Sequence, residues 1–463
     1  MTLYTALLSV FVVLQIAVGL WIGRRMRSAE DFFVAGRNLP APLVFATFLA
    51  ANIGAGSTIG AASLGYSVGL GGWWWNASAG LGSVIFALWA GPKLWTLARA
   101  HQFLTLGDFL EWRYSQTIRV VASILTWVVS LSILAGQLLG ASSILQVVAG
   151  LPKWVGAVTA AGVVVAYFVA GGLLSSAWVN LVQLAVKLSG FAIALPLALG
   201  TVDGWTGLRS SGVLADRYFD FTGGGSGSTL WLIALLAPAF IVSPGLVQKA
   251  YGAIDARAVR IGVGANAVAL LAFAIVPVTL GMIARVHHPH LASADLALPV
   301  LLGSDLPPLV GALTLASVFA AEVSAADAVL FMLSTSLSQD LYRRFLAPDA
   351  NDGQVVRVAR WSAGIAAAAG LGMALVLPTV VDALKIFYSV LTVALFVPVV
   401  GALLWERPSS VEALAAMGVG LSVMLLLSLP GVSQDIAGIP PVVGGLIGAS
   451  IGFGGAAALR RTR

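Results

Sequence analysis

Two glycine-rich interruptions break apolar stretches of this chain, one at Asn52-Ile53-Gly54-Ala55-Gly56-Ser57 and one running from Pro238 through Ser243-Pro244-Gly245. Of its 463 residues 59% are hydrophobic and only 10% are charged, so the interrupted stretches belong to a membrane protein and not to a soluble domain. In hydrocarbon an unwound helix exposes amides and carbonyls that lipid cannot satisfy. Such breaks persist only around a bound ion, a solute or water. They mark the expected transport site, and the remaining spans are read as its scaffold.

Apolar windows of about twenty residues recur from Thr2 to Leu459, each long enough for a helix to cross about 30 Å of hydrocarbon. About thirteen spans result, which makes this an all-α polytopic membrane protein. The first window, Leu3 to Ile22, has no basic residue ahead of it and no small-x-small cleavage pattern behind it, so it is read as a retained helix. The net charge of +6 is spread along the chain. Alternate loops hold most of the basic residues, among them Arg24, Arg25, Arg99, Arg113, Lys249 and Arg343, whereas the opposite loops hold only Lys153, Arg209, Arg217, Arg285 and Lys385. This bias puts the amino terminus outside, the carboxyl terminus in the cytoplasm, and the chain in a cell membrane with lipid, not nucleic acid, around it. The absence of cysteine excludes disulfides, thiolate metal sites and iron–sulfur clusters.

The loop from Thr201 to Thr229 contains Gly223-Gly224-Gly225-Ser226-Gly227-Ser228 and is expected to be a flexible connector. A short cytoplasmic helix is expected at Leu106 to Tyr114 and an amphipathic segment outside near Ala294 to Leu302. The chain is then one membrane domain. Residues 1–40 form a peripheral first helix and cytoplasmic loop, 41–200 a first group of five helices, 229–407 a second group, and 408–463 two final helices. The breaks fall in the opening helix of each group, and successive groups of five must run in opposite orientations. Corresponding elements therefore form an inverted repeat with a site between them at the bilayer midplane.

The segment Asp31-Phe32-Phe33-Val34-Ala35-Gly36-Arg37, the run Ala50-Ala51-Asn52-Ile53 and the pair Gly65-Tyr66 resemble the sodium/solute symporter family. So do Gly171-Gly172-Leu173-Leu174-Ser175 with Trp178 and Gln183, Gln248-Lys249, and Ser324 followed by Asp340-Leu341-Tyr342. The resemblance implies a LeuT-type fold with inverted five-helix repeats, and sodium-coupled uptake of a small organic solute by alternating access. It also implies a sodium site made by the carbonyls of Ala50, Ile53 and Ala321 and the hydroxyl of Ser324, an all-oxygen shell that suits a hard cation. Where the family has a second hydroxyl this chain has Ala325, and Asn180 replaces an aspartate on the inner sodium route.

Asp327 lies three residues after Ser324, on the same side of that helix, and is added to the sodium site. Sodium, a proton or Lys187 are open as its partners, since a carboxylate in mid-membrane requires one. Glu322 is about half a turn from Ser324 and is read as structural, paired with another helix or with external water. Lys187 sits near the centre of an apolar helix, where snorkelling is hard, and is expected to face a cavity or a partner. Lys187 and Asn180 are assigned to the ion route. A proton-coupled or sodium-independent carrier using Asp327 and Lys187 is the alternative reading.

The solute site is expected at Ser57, Asn76, Gln137, Phe240 and Trp75. Leu236 and Val390 would leave sugar hydroxyls unpaired, at about 1–3 kcal/mol each. A monocarboxylate or amino-acid-like solute fits better, because helix amino ends offer backbone donors to an anion. A quaternary amine boxed by aromatic rings competes with it.

Other motifs fail. Gly54-Ala55-Gly56 with Gly60 misses the dinucleotide fingerprint by one residue, and His287, His288 and His290 flank Pro289 with no acid beside them, so no organic cofactor and no transition metal are expected. Neither a nucleophile elbow nor a zinc-binding His-Glu pair is present, which argues against an enzyme. A membrane sensor would carry a signalling module after the last span, and the chain as given ends at Arg463. The protein is expected to act as a monomer or weak homo-oligomer.

Overall fold

The computed structural model describes residues 4–7, 9, 10, 13, 35–170, 173–223, 229–429 and 438–461. The first expected span and the opening Asp31 to Val34 of the family motif therefore lie almost wholly outside the described residues, as do Gly171, Gly172 and the 224–228 stretch of the long loop.

Among the described residues the architecture is helical, with one isolated bridge between Leu39 and Ala253. The first group comprises α1 (Ala41–Asn52), α2 (Ala61–Val68), α3 (Trp73–Ile85), α4 (Gly91–His101), α5 (Leu106–Arg113), α6 (Gln116–Ala149), α7 (Lys153–Ala170) and α8 (Leu173–Gly200). After a short α9 (Gly204–Ser210), the second group comprises α10 (Trp231–Val242), α11 (Pro244–Tyr251), α12 (Ala256–Phe273), α13 (Ile275–His287), α14 (Ala297–Val300), α15 (Pro308–Thr335), α16 (Asp352–Val376) and α17 (Val380–Leu404). Two further helices follow, α18 (Ser410–Leu427) and α19 (Pro441–Arg461).

Nine described helical stretches are long and apolar enough to cross a membrane, or ten if the pair Leu184–Gly200 and Gly204–Ser210, bent by 56°, is one span. Part of the difference from thirteen is that the first expected span lies almost wholly outside the described residues, and part is physical. The first break leaves α1 only 12 residues, too short to cross alone, and joins the remainder to the next helix in a continuous path from Gly56 to His101. Windows of hydropathy see neither effect.

The spans approach through small residues. A Cβ on Gly65 would meet the Val278 carbonyl at 2.1 Å, and one on Gly281 would meet the Ala62 carbonyl at 1.9 Å. Backbones at that crossing touch with nothing between them, the usual way to gain packing where lipid offers no hydrophobic drive.

Both expected accessory helices are present. Thr105 caps α5 reciprocally with Asp108, and Ala294–Leu296 with α14 form the external segment. The described part of the long loop, residues 201–223, is structured. It carries α9 and a turn at Asp216–Phe219, and the Tyr218 hydroxyl donates to the Tyr66 carbonyl at 3.3 Å. Tyr218 and Phe221 tie the described part of the loop to the helices, the latter through Trp74, whereas residues 224–228 of the glycine run lie outside those described.

On the face that the charge bias assigns to the cytoplasm, buried Arg119 at the start of α6 meets Asp108 at 2.9 Å, Glu111 at 2.7 Å and Asp340 at 2.7 Å. Asp340 also accepts from Thr105 at 2.6 Å. One guanidinium thus ties α5, α6 and the π-helical extension of α15, Ser336–Leu346, into one cluster.

Candidate functional site

The first break is a rerouting of backbone hydrogen bonds. After α1 ends at Asn52, Ile53 leaves helical geometry at φ −97° and ψ 84°. In a continuous helix the amides of Gly54 and Ala55 would bond the carbonyls of Ala50 and Ala51. Here Gly54 donates to Ser57 Oγ at 3.1 Å and Ala55 donates to Gln137 Oε1 at 2.8 Å. Ser57 Oγ in turn donates to the Asn52 carbonyl at 2.6 Å, and Asn76 Nδ2 donates to the Ser57 carbonyl at 3.0 Å. The amides are satisfied by side chains, which turns carbonyls at the end of α1 away from their usual partners.

Helix α15 closes on this turn. A Cβ on Gly54 would lie 2.4 Å from Ala325 Cβ and 2.6 Å from Gln137 Oε1, so Ala325 is the α15 residue pressed against the break. Ala321 and Ser324 are fully buried on the same helix. Thr58 donates to Glu322 Oε1 at 2.8 Å, fixing α15 to the π-turn Gly56–Gly60 that follows the break. From α8, the fully buried Lys187 reaches in and its Nζ donates to the Ile53 carbonyl at 3.4 Å.

The two acids of α15 face different lysines. Glu322 interacts electrostatically with Lys187, whereas Asp327 interacts with Lys249 of α11. Of the two acids of α15, Glu322 is the one that acts on Lys187 and Asp327 the one that acts on Lys249. The structural partner expected for Glu322 is found on two elements, Thr58 and Lys187. The side chain of Asn180 lies outside those described.

The second break is narrower than its sequence signal. Helix α10 continues through Pro238 to Val242, and Ser243 alone leaves the helix, at φ −55° and ψ 119°. Pro244 then opens α11, where a missing amide costs nothing. Between the breaks lies a small cavity walled by Asn52, Phe240, Ser243, Lys249, Ala325 and Tyr388 among others. Phe240, one of the residues expected at the solute site, stands in the wall. Ser57, Asn76 and Gln137 lie beside it with polar atoms bonded to the break, and Trp75 is buried one layer out, its ring 6.1 Å from that of Tyr388. Trp73 and Trp74 hold the external loop, the latter donating to the Phe221 carbonyl at 2.9 Å.

In the sequence Lys249 counts among the charges of a loop and as part of a family motif, whereas the structure buries it in α11 against the cavity; no role is expected there for Tyr388. Lys249 lies four residues after Gly245, hence on the face of α11 that lines the cavity, and this spacing from the second break was the available signal. Tyr388 gave none, because its importance lies in contacts with Phe240 at 5.6 Å and Trp75.

Those aromatic rings flank the cavity on the side of the external loops. A second small pocket shares Met332 with the first and reaches Gln248, Thr335 and Asp340 beside the Arg119 cluster. Outside, Asp295 Oδ2 accepts from the Val380 amide at 2.9 Å and pins the external segment to the amino end of α17. His288 Nε2 contacts Asp305 at 2.8 Å and His287 contacts Thr201 at 2.9 Å.

Comparison with known proteins places this geometry. Residues 32–420 match the family model described as the sodium:solute symporter family. A sodium/glucose cotransporter from Vibrio parahaemolyticus is 27% identical over 77% of this chain and 72% of its own length. The sodium/pantothenate symporter of Escherichia coli K12 is 28% identical over 92% of this chain and 89% of its own. The high-affinity proline transporter PutP of Bacillus subtilis is 26% identical, covering 91% of each. Among solved structures, a Na+-coupled sialic acid symporter in a substrate-bound outward-open state superposes with a TM-score of 0.85 at 17% identity, covering 99% of this chain and 98% of that one. Mhp1, a nucleobase-cation-symport-1 family transporter, superposes with a TM-score of 0.62 at 14% identity, covering 92% and 94%.

Proposed function

Since the chain belongs to the sodium:solute symporter family, with the LeuT-type fold and many membrane-crossing helices, we propose that it imports a small organic anion, a monocarboxylate or amino-acid-like solute, together with sodium. The observation that carries the choice of solute is the buried Lys249 ammonium in the wall of the cavity between the two breaks. Beside it stand Ser243, Asn52 and the amino end of α11, all suited to a carboxylate. Three aromatic residues, Phe240, Phe387 and Tyr388, also line the cavity and would suit a quaternary amine, but of the pair Lys249 and Asp327 it is the lysine that lines the wall, so a like charge meets that ligand.

Sodium is placed at the carbonyls of Ala50, Ile53 and Ala321 and the Ser324 hydroxyl, with Asp327 nearby. The released carbonyls of the first break and the close approach of α15 support this reading. Sodium there would stiffen the wall that the solute touches through Asn52, and so couple the two ligands.

The test is a ligand screen by thermal unfolding of the purified protein in sodium chloride and in potassium chloride, followed by uptake into proteoliposomes. Carboxylates should stabilise the protein in sodium and little in potassium. Lys249→Gln should weaken carboxylate binding at least tenfold, in line with about 1.5–3 kcal/mol for a hydrogen bond to a charged group. Stabilisation by sugars or quaternary amines in place of carboxylates would refute the choice of solute, and stabilisation tracking pH with no preference for sodium would refute sodium coupling.

A further inference from the structure

We propose that the Lys187 ammonium is a tethered competitor for sodium at the first break and sets the protein's affinity for that ion. The inference rests on the sodium site described above and adds a residue to it that is no ligand.

Lys187 projects from the middle of α8 into an interior where it is 0% exposed, and its Nζ lies 3.4 Å from the Ile53 carbonyl, one of the oxygens placed around sodium. An ammonium and a sodium ion carry the same charge and seek the same carbonyl dipoles at an unwound helix. They cannot share one oxygen at contact distance, because like charges repel strongly where water is excluded. Sodium can take Ile53 only as Nζ withdraws.

A receiver for the withdrawn ammonium is built into α15. Glu322 is 1% exposed, and its Oε1 accepts from Thr58, while its Oε2 is buried without a hydrogen-bond partner among the described residues. The neighbouring position on α6 is Gly140, where a Cβ would lie 3.2 Å from that same oxygen, so the space beside it is kept clear. Lys187 and Glu322 already attract one another across this gap. The flexible four-carbon stem of lysine allows its head to change partner without movement of α8. The other buried acid of α15, Asp327, faces Lys249 and does not take part.

Sodium titrations of the purified protein, followed by thermal unfolding with potassium chloride holding ionic strength constant, test this directly. A competitor occupying nine-tenths of the sites lowers apparent affinity about tenfold. Lys187→Met should therefore lower the sodium concentration for half-maximal stabilisation about tenfold. Lys187→Gln serves the same purpose if the methionine variant does not fold. Glu322→Gln, which removes the receiver, should raise that concentration several-fold, and the double variant Lys187→Met/Glu322→Gln should still bind sodium more tightly than the unaltered protein. An unchanged or raised sodium requirement in both folded Lys187 variants overturns the proposal while leaving the sodium site standing. Sodium stabilisation that is absent from the unaltered protein and from every variant, or that persists undiminished in Ser324→Ala, overturns the sodium site and the proposal with it.

Discussion

Gly54 shows how tightly single residues are specified at the first break. Its missing side chain is the space in which Ala325 and Gln137 meet the backbone, at 2.4 Å and 2.6 Å from where a Cβ would stand. Gly54→Ala should lower stability by about 1–3 kcal/mol, the usual cost of overpacking, and should weaken sodium binding by pushing α15 off the break. Adding Ala325→Gly should recover part of the loss, a coupling that a thermal-unfolding double-mutant cycle measures. Purely additive effects would mean that the two positions do not meet. The break itself was legible in the run Asn52 to Ser57, because glycines and small polar residues gathered inside an apolar stretch weaken a helix where lipid would otherwise favour one. Where Ser57, Asn76 and Gln137 aim was not legible. A hydroxyl or amide at such a position satisfies a solute or a stranded backbone amide equally well, and only the folded geometry decides between them.

Helices act here as carriers of charge in register. Glu322 and Asp327 are five residues apart on α15, which turns them about 140° from each other, so that two lysines from different helices receive one acid each. Periodicity revealed the angle between the acids but not the helices facing them, because α8 and α11 are brought together by the tertiary fold. The second break illustrates the converse. Pro238 looked like a breaker, yet α10 passes through it, and the interruption is confined to Ser243. Pro238 leaves the Ala234 carbonyl without its helical amide, and on the next carbonyl along, that of Leu235, Thr392 of α17 donates at 2.7 Å, so the neighbouring helix bonds α10 at its proline turn. At the outer face the external segment is latched to α17 through Asp295. Burial raises its carboxyl from 3.8 to about 6, with the Val380 amide, the Ser63 hydroxyl and Lys153 pulling the other way. Because the folded form holds its proton more tightly than the unfolded chain, the stability this group contributes declines as pH rises from about 4 to about 6. Asp295→Asn should flatten that part of the pH profile of the melting temperature. A profile unchanged by the substitution would show that Asp295 does not titrate there.

The whole molecule has an architecture that composition and spacing revealed and a topography that they did not. An all-helical carrier with a site between paired breaks followed from the apolar windows and the two interruptions. The short α1, the merged path from Gly56 to His101 and the ordered cover around Tyr218 depend on where backbones bend and what packs on them. The buried lysines and acids between the breaks have a further consequence on this scale. Lys187 with Glu322 and Lys249 with Asp327 sum to zero, so these pairs have no counter-charge to offer an entering cation. If one sodium ion enters with one monoanion, the loaded carrier moves no net charge across the membrane. Each charge moved across 100 mV would otherwise be worth about 2.3 kcal/mol. Uptake into proteoliposomes should then be indifferent to a potassium diffusion potential set with valinomycin and should follow the sodium gradient alone. A current that scales with uptake would instead require more than one sodium ion per solute, or a solute without charge. With electroneutral coupling, a cell whose membrane potential has collapsed could still accumulate the solute for as long as sodium outside exceeded sodium within.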